Sequence, residues 1–443
     1  MIIGFYVKGL FGLYSYDVSL PDISDERAER LILIYGDNGS GKTTIVNLIY
    51  HLLSRSDSRG HRTFIAKTQF TEFGIRFSDG RHLVATKRDE RGVGAYTLQL
   101  RTREKILREV FVDSKFREGN YKVTNDDVDD GRLNELFDEL FQTKLNCFHM
   151  SDNREFQSDY LSRAEDEVRL RRRYREKLYY DTIHINLSEE RDVDEPTRQL
   201  RQSVSRAESW IKDQTLEARS ANDASISDIY RDLITRLGTY GTKTHSPSLE
   251  IRESLIARSK ALAKSTKTLS TVGMANDVPV EGYEDAISKA EDANLPLISQ
   301  ILTPYFDSVE ARVEGLKGIA SRLNMFVSII NNFYKNKSLH IDAVDGVTVI
   351  ASDEEPIAVD VLSSGEKHLL MLMCNILVGT SQRSLFLVDE PELSLNIKWQ
   401  RSLVNALLDL SSGSPVQFFM ATHSIELLAE HRNSTLRLTN VAD

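Results

Sequence analysis

The sequence predicts an α/β fold, a mixed sheet with an antiparallel flank, split into two halves by a large α-helical or coiled-coil insertion. Three observations predict it. A glycine-rich turn, Gly36-Asp37-Asn38-Gly39-Ser40-Gly41-Lys42-Thr43, lies between a strand-like run and a helix-like one. A second apolar run, Ser384-Leu385-Phe386-Leu387-Val388, ends in two acids, Asp389 and Glu390. Between them, from about Gln157 to Tyr334, the chain turns charged and mostly helical in pattern. The expected division is residues 1–155 and 336–443 as two halves of one lobe, with 156–335 inserted.

The first 20 residues read as strands, with Ile2, Ile3, Phe5 and Val7, then Tyr14, Tyr16 and Val18, at alternating positions. Leu31-Ile32-Leu33-Ile34-Tyr35 suits a buried strand, and Thr44 to Leu53 carries apolar residues at helical spacing. Strand, glycine turn and helix are the context of a phosphate-binding loop. The glycines let consecutive N–H groups converge on phosphate oxygens, and the helix N-terminus adds favourable dipole charge. Gly36, Asn38, Gly39, Ser40, Gly41, Lys42, Thr43 and Thr44 are the candidate phosphate contacts. Lys42 would reach the β- and γ-phosphates, and the Thr43 hydroxyl would help hold Mg²⁺.

Further on, Phe73, Ile75 and Phe77 alternate into Asp79-Gly80, with Leu83 and Ala85 beyond, which predicts a hairpin. Tyr96, Leu98 and Leu100 add a strand. Asn125 to Gly131 has the acids of a calcium loop but puts Val128 and Phe137 where oxygen ligands are needed, so it reads as an acidic surface loop. In the insertion, Arg169, Arg171, Arg172, Arg173, Arg175 and Lys177 crowd together beside Glu165, Asp166, Glu167 and Glu176. Such a run meets nucleic acid or an acidic protein, or is a solvated helix face. Residues 242–281, rich in Ser, Thr, Lys and Gly, read as a flexible tip. From Leu302 to Tyr334 apolar residues step by four and three, the seam of a coiled coil or a long antiparallel helix pair, with Gly315 and Gly318 favouring a bend.

The formal charge of −10 argues against a protein whose whole surface coats nucleic acid. No apolar stretch is long enough to span a bilayer, and no leader pattern opens the chain, so a cytoplasmic location with no membrane partner is expected. Cys147 and Cys374 sit in apolar runs and read as buried thiols. No Cys/His zinc cluster is present.

The C-terminal third supplies the rest of the chemistry. Leu339, Ile341 and Ala343 alternate into Asp345-Gly346, another hairpin. Leu362-Ser363-Ser364-Gly365-Glu366 then opens a helix, a second anion-binding N-terminus. Asp389 would orient the metal shell and Glu390 would accept a proton from an attacking water. The strand Val416 to Thr422 delivers His423, placed to bond a phosphate or that water.

Phosphate loop, Leu362–Glu366, Asp389-Glu390 and His423 occur in the order found in the ATP-binding cassette (ABC) superfamily, which this chain resembles over about residues 1–155 and 338–435. The resemblance implies an ABC-type ATPase head using ATP and Mg²⁺. It gives Ser363, Gly365 and Glu366 the role of a signature that closes over the nucleotide of another subunit, so at least a homodimer. It makes Glu390, His423 and Lys42 the catalytic residues, with Thr43 and Asp389 on the metal. Lys42 and Ser363 stand 321 positions apart, far more than a transporter subunit needs. With Glu366 and Asp389-Glu390-Pro391-Glu392-Leu393-Ser394-Leu395, this is similar to the SMC and RecF branch, and more closely to ATPases of bacterial phage-defence systems such as OLD, PtuA and AriA proteins. That likeness implies an oligomeric subunit controlling a separate effector, a nuclease or toxin, with a phage protein or nucleic acid as trigger. The alternative is a RecF-like ATP-dependent DNA-binding repair or replication factor.

The chain departs from the family in several places. Ser151-Asp152-Asn153-Arg154 stands where a glutamine loop is expected, and Arg154 reads as a phosphate or interface contact or a structural ion pair. Asn396 replaces a histidine common in OLD-like ATPases. Tyr14 or Tyr16 would stack on adenine unless both belong to the core. Only 20 residues of this sequence follow His423, so a nuclease activity is expected to reside in another protein.

Overall fold

The computed structural model describes residues 1–20, 26–55, 57, 59–117, 119–141, 145–153, 155–160, 194–222, 248–274, 282–342 and 346–441. Arg154 and the basic run Arg169–Lys177 lie outside the described residues. Two compact units emerge, Met1–Gln199 with Ile376–Asp443, and Leu200–Asn375.

In the first unit the early strands are β1 (Ile2–Leu10), β2 (Tyr14–Ser19), β3 (Leu31–Tyr35), β4 (Glu72–Phe77), β5 (His82–Lys87), β6 (Tyr96–Arg101) and β7 (Ile106–Val112). Small strands β8 (Lys115–Arg117) and β9 (Asn120–Lys122) pair with each other, and β10 (Asn146–Met150) and β11 (Phe156–Tyr160) follow. Six strands form an antiparallel sheet in the order β2-β1-β4-β5-β6-β7. The Asp79-Gly80 hairpin is present, with Gly80 at φ 79° and Ile75 paired to Leu83. This is the expected antiparallel flank.

The second unit contributes β12 (Lys337–Asp342), β13 (Gly346–Ala351) and β14 (Pro356–Ile357), a small antiparallel sheet that includes the expected second hairpin. The chain returns to the first unit with β15 (Ser384–Asp389), β16 (Val416–Thr422) and β17 (Thr435–Arg437). These complete a sheet ordered β11-β10-β15-β16-β3-β17, parallel except for β11. Every residue of β15 and β16 is buried, as central parallel strands covered on both faces require.

The helices of the first unit are α1 (Glu26–Glu29), α2 (Lys42–Leu53), α3 (His61–Lys67) and α4 (Asp130–Leu140). Helix α2 buries Ile45, Val46, Leu48, Ile49, Leu52 and Leu53 among side chains of both sheets, including Phe5, Val7, Phe73, Ile75, Leu387 and Phe419. Anchored this way, the phosphate-loop helix has one place to start. The acidic segment near Asn125 is a short 3-10 turn closed by Thr124 and Asp127, and Asp129 caps α4.

Helix α5 (Glu195–Asn222) leads into the second unit, which holds α6 (Ser248–Ser270), α7 (Tyr283–Lys289) and α8 (Leu295–Phe333). Helix α6 corrects the expected flexible tip. Its Leu255, Leu262 and Leu269 recur every seven residues and are all buried, so packing overrides the Ser and Thr content. Helix α8 is continuous through Gly315 and Gly318 and runs about 58 Å at 1.5 Å per residue. Phe306, Val309, Val313, Leu316, Ala320, Leu323 and Ile330 of the expected seam are buried along it. Arg258 of α6 pairs with Asp307 and Glu310 of α8, while Thr271, just past α6, meets Asn324. Both helices therefore advance in the same direction, so of the two expected arrangements the antiparallel pair is not what α6 and α8 form. The insertion is also not helical from its start: 156–160 form β11, paired to β10. The last helices are α9 (Ser364–Gly379), α10 (Ile397–Leu410) and α11 (Ile425–Glu430). Among the described residues no helix is long and apolar enough to cross a membrane. Both cysteines are buried, and among the described residues neither forms a disulfide.

Candidate functional site

Four parallel strands end at the same edge of their sheet, and each hands the chain to a segment singled out in the sequence. Strand β3 leads into the loop 36–43, β15 into Asp389 and Glu390, β16 into His423, and β10 into Ser151 and Asp152. Because β16 lies between β15 and β3, the acids, the histidine and the loop are neighbours. Ligands of open α/β sheets bind at such a carboxyl edge.

The loop is built as its glycines require. Gly39 and Gly41 adopt φ of 81° and 88°, a region disfavoured for side-chain-bearing residues. Ser40 N–H bonds Asp37 O, and Gly41 O accepts the first helical bond from Ile45. Asn38, Gly39 and Thr43 are exposed, Thr44 is half-buried, and Ser40 and Lys42 are buried. The Lys42 ammonium bonds Gly36 O at 2.8 Å and Asp37 O at 3.0 Å, folded back across the loop. Burial pulls its pKa down, against the upward pull of Glu390, Asp389 and Asp37. The Ser40 hydroxyl is buried and has no hydrogen-bond partner among the described residues.

Tyr16 is core, not a free stacking surface. It is buried, its hydroxyl donates to Ser40 O at 2.9 Å, and Tyr14 lies flat on it with centroids 5.8 Å apart. It props the phosphate loop from below, a role that alternation alone could not reveal.

Asp389 is 2% exposed, and neither carboxylate oxygen has a hydrogen bond of good geometry. Burial pushes its pKa up to about 6. The Thr43 hydroxyl and Lys42 draw it down, while Glu390 and Asp152 push it further up. Glu390 follows with φ 49°, and Ser394 has φ 65°. Two non-glycine residues in this region within six positions store strain of roughly 1–3 kcal/mol each, a feature that concentrates at functional sites. Glu390 N–H is tied to Ala421 O at 2.8 Å, and its carboxylate lies 3.6 Å from His423 Nε2.

Glu392, given no role by the sequence, is buried and accepts bonds from Thr422 Oγ1, His423 N–H and Ser424 N–H. Asn396 is an N-cap, its side chain accepting from Trp399 N–H. Two cavities of about 370 and 270 Å³ lie elsewhere and contain none of these residues.

In the second unit, Ser363 stands just before α9, and the Glu366 carboxylate in the first turn of that helix reaches back to it. Ser363 N–H and Oγ both donate to Glu366 Oε2, at 2.8 and 2.7 Å. Lys337 pairs with the same carboxylate at 3.0 Å. Burial pushes the Glu366 pKa up, but Ser363 and Lys337 outweigh it and hold the carboxyl below its usual range. Ser363 and Ser364 are exposed, and Gly365 is half-buried in the first turn.

The residues at the first unit's site fit a magnesium nucleotide. Loop N–H groups, Lys42 and the unpartnered Ser40 hydroxyl suit phosphate oxygens. The Thr43 hydroxyl and the buried Asp389 carboxylate are oxygen donors of the kind that would hold Mg²⁺.

Among solved structures, the chain is similar to an Smc head domain with an extended coiled coil from Pyrococcus furiosus, bound there to the C-terminal domain of ScpA. Identity is 13% and the TM-score 0.39, over 99% of this chain and 96% of that one. It is also similar to the SMC head domain from Thermotoga maritima, at 12% identity and TM-score 0.33, over 99% and 98%. No curated protein matches the chain. The family model described as "AAA domain, putative AbiEii toxin, Type IV TA system" matches residues 31–429, and with its phosphate loop, acid pair and histidine in place the chain belongs to that family of ATPases.

Proposed function

We propose that the chain is an ATP-hydrolysing subunit that oligomerises through its nucleotide sites and controls a separate effector, a nuclease or toxin, in antiviral defence. The observation that carries the catalytic part is the convergence of Lys42, Thr43, Asp389, Glu390 and His423 at one sheet edge, with Glu390 and His423 3.6 Å apart. Lys42 and the loop N–H groups hold the β- and γ-phosphates. Thr43 and Asp389 would hold Mg²⁺, which would supply positive charge against the phosphates. Glu390 takes a proton from water as its oxygen attacks the γ-phosphorus, and the bond to the ADP oxygen breaks. His423 orients that water or the γ-phosphate.

Support for the regulatory part comes from the family description, which names a toxin and a toxin–antitoxin system. Ser363 is exposed at the start of α9, and a helix N-terminus there suits the phosphates of a second copy's nucleotide. Light scattering on Glu390→Gln with ATP tests this. A dimer or larger species that requires ATP and is lost with Ser363→Arg supports the reading. A monomer under all conditions, with no effector co-purifying with the native protein, refutes it.

A further inference from the structure

Glu392 stands two residues past Glu390, and its side chain reaches across to the exit of the neighbouring strand. It is 8% exposed, and one oxygen, Oε1, receives three hydrogen bonds: Thr422 Oγ1 at 2.6 Å, His423 N–H at 2.8 Å and Ser424 N–H at 3.0 Å. Those donors are the last residue of β16 and the two that follow. The exit of β15 is tied to β16 a second time through Glu390 N–H and Ala421 O. Ser424 is further fixed, since its hydroxyl donates to Gln400 and caps α11 by accepting from Leu427 N–H.

Two of the three bonds fall on the main chain, one on each side of the His423 Cα, so they set where its imidazole can reach. They do so from a segment strained at Glu390, which holds its shape only if its surroundings fix it. We infer that Glu392 is a positioning residue, fixing the backbone at His423 so that the ring faces Glu390, and acting on hydrolysis only through His423. This rests on reading Glu390 and His423 as the hydrolytic pair.

The test is a double-mutant cycle with an NMR readout on protein carrying ¹³C-labelled histidine. Glu392→Ala should lower kcat about 10- to 100-fold, as loss of a group that orients a functional side chain does, with little change in the KM for ATP. Glu392→Gln should restore activity to within about threefold, because its amide oxygen accepts the same three bonds. Combined with His423→Ala, Glu392→Ala should add no further loss. The His423 ring signal, assigned by its absence in His423→Ala, should shift and broaden in Glu392→Ala while the other histidine signals stay in place. An unmoved His423 signal, or losses that multiply in the double variant, overturns the inference. Should Glu392→Ala fail to fold, Thr422→Val removes one donor at nearly constant shape and should move the same signal. A wild-type protein without ATPase activity would refute the proposed function, while the His423 signal would still decide this inference.

Discussion

Replacing Asp389 by Asn should stabilise the nucleotide-free protein while abolishing its metal-dependent activity. Asp389 is buried without a hydrogen bond of good geometry, and its pKa stands at about 6 against an ordinary 3.8. Because the folded-state value is raised, its favourable contribution is complete below about pH 4 and is lost as pH rises through about 6. Near neutral pH the folded protein holds a carboxylate that burial disfavours. A shift of about two units is worth up to about 3 kcal/mol, and about half of that remains at pH 5. Asn carries no charge at any pH and nearly the same shape. Asp389→Asn should therefore raise the melting temperature by about 3 to 6 °C at pH 7.5 in EDTA, and by about half as much at pH 5. Calorimetry at the two pH values is the assay. A lowered melting temperature at pH 7.5, or a gain independent of pH, would refute the reasoning.

Other perturbations probe separate contacts. Tyr16→Phe deletes the bond to Ser40 O and should cost about 0.5–1.5 kcal/mol in chemical denaturation. Nucleotide affinity should fall with it, since the loop loses its prop; unchanged affinity would show that the loop holds its shape unaided. Glu366→Ala removes the acceptor of both Ser363 bonds and the partner of Lys337, with an expected loss of about 1–2 kcal/mol. Intact stability there would mean that the Ser363 turn does not need the carboxylate. Affinity for a magnesium nucleotide should fall about tenfold between pH 7 and pH 5 as Asp389 is protonated. Binding measured in EDTA should lack that component.

The phosphate loop was legible because its chemistry is local: glycines at positive φ, a lysine and a hydroxyl need only their own neighbours in sequence. The Asp79-Gly80 hairpin was legible for the same reason, and the largely apolar runs of β15 and β16 marked them as strands. What escaped depended on contacts distant in sequence. Glu392 reads as one more acid in Asp389–Leu395 until the fold places Thr422 and His423 beside it. Tyr16 alternates like any strand aromatic, and only packing brings its hydroxyl to Ser40. The Ser- and Thr-rich stretch that became α6 was misread because composition hid its buried leucines and its ion pairs to α8, distant in sequence. Glu366 looked like a ligand-binding signature residue, and its carboxylate oxygen Oε2 is engaged by Ser363 and Lys337.

The most direct test of the account separates binding from chemistry at the phosphate loop. Nucleotide affinity and single-turnover hydrolysis should be measured on wild type, Lys42→Ala and Glu390→Gln. Lys42→Ala should lose ATP binding, whereas Glu390→Gln should bind ATP as wild type does and hydrolyse it slower by about a hundredfold or more. Normal turnover by Glu390→Gln, or unaltered ATP affinity in Lys42→Ala, would contradict it.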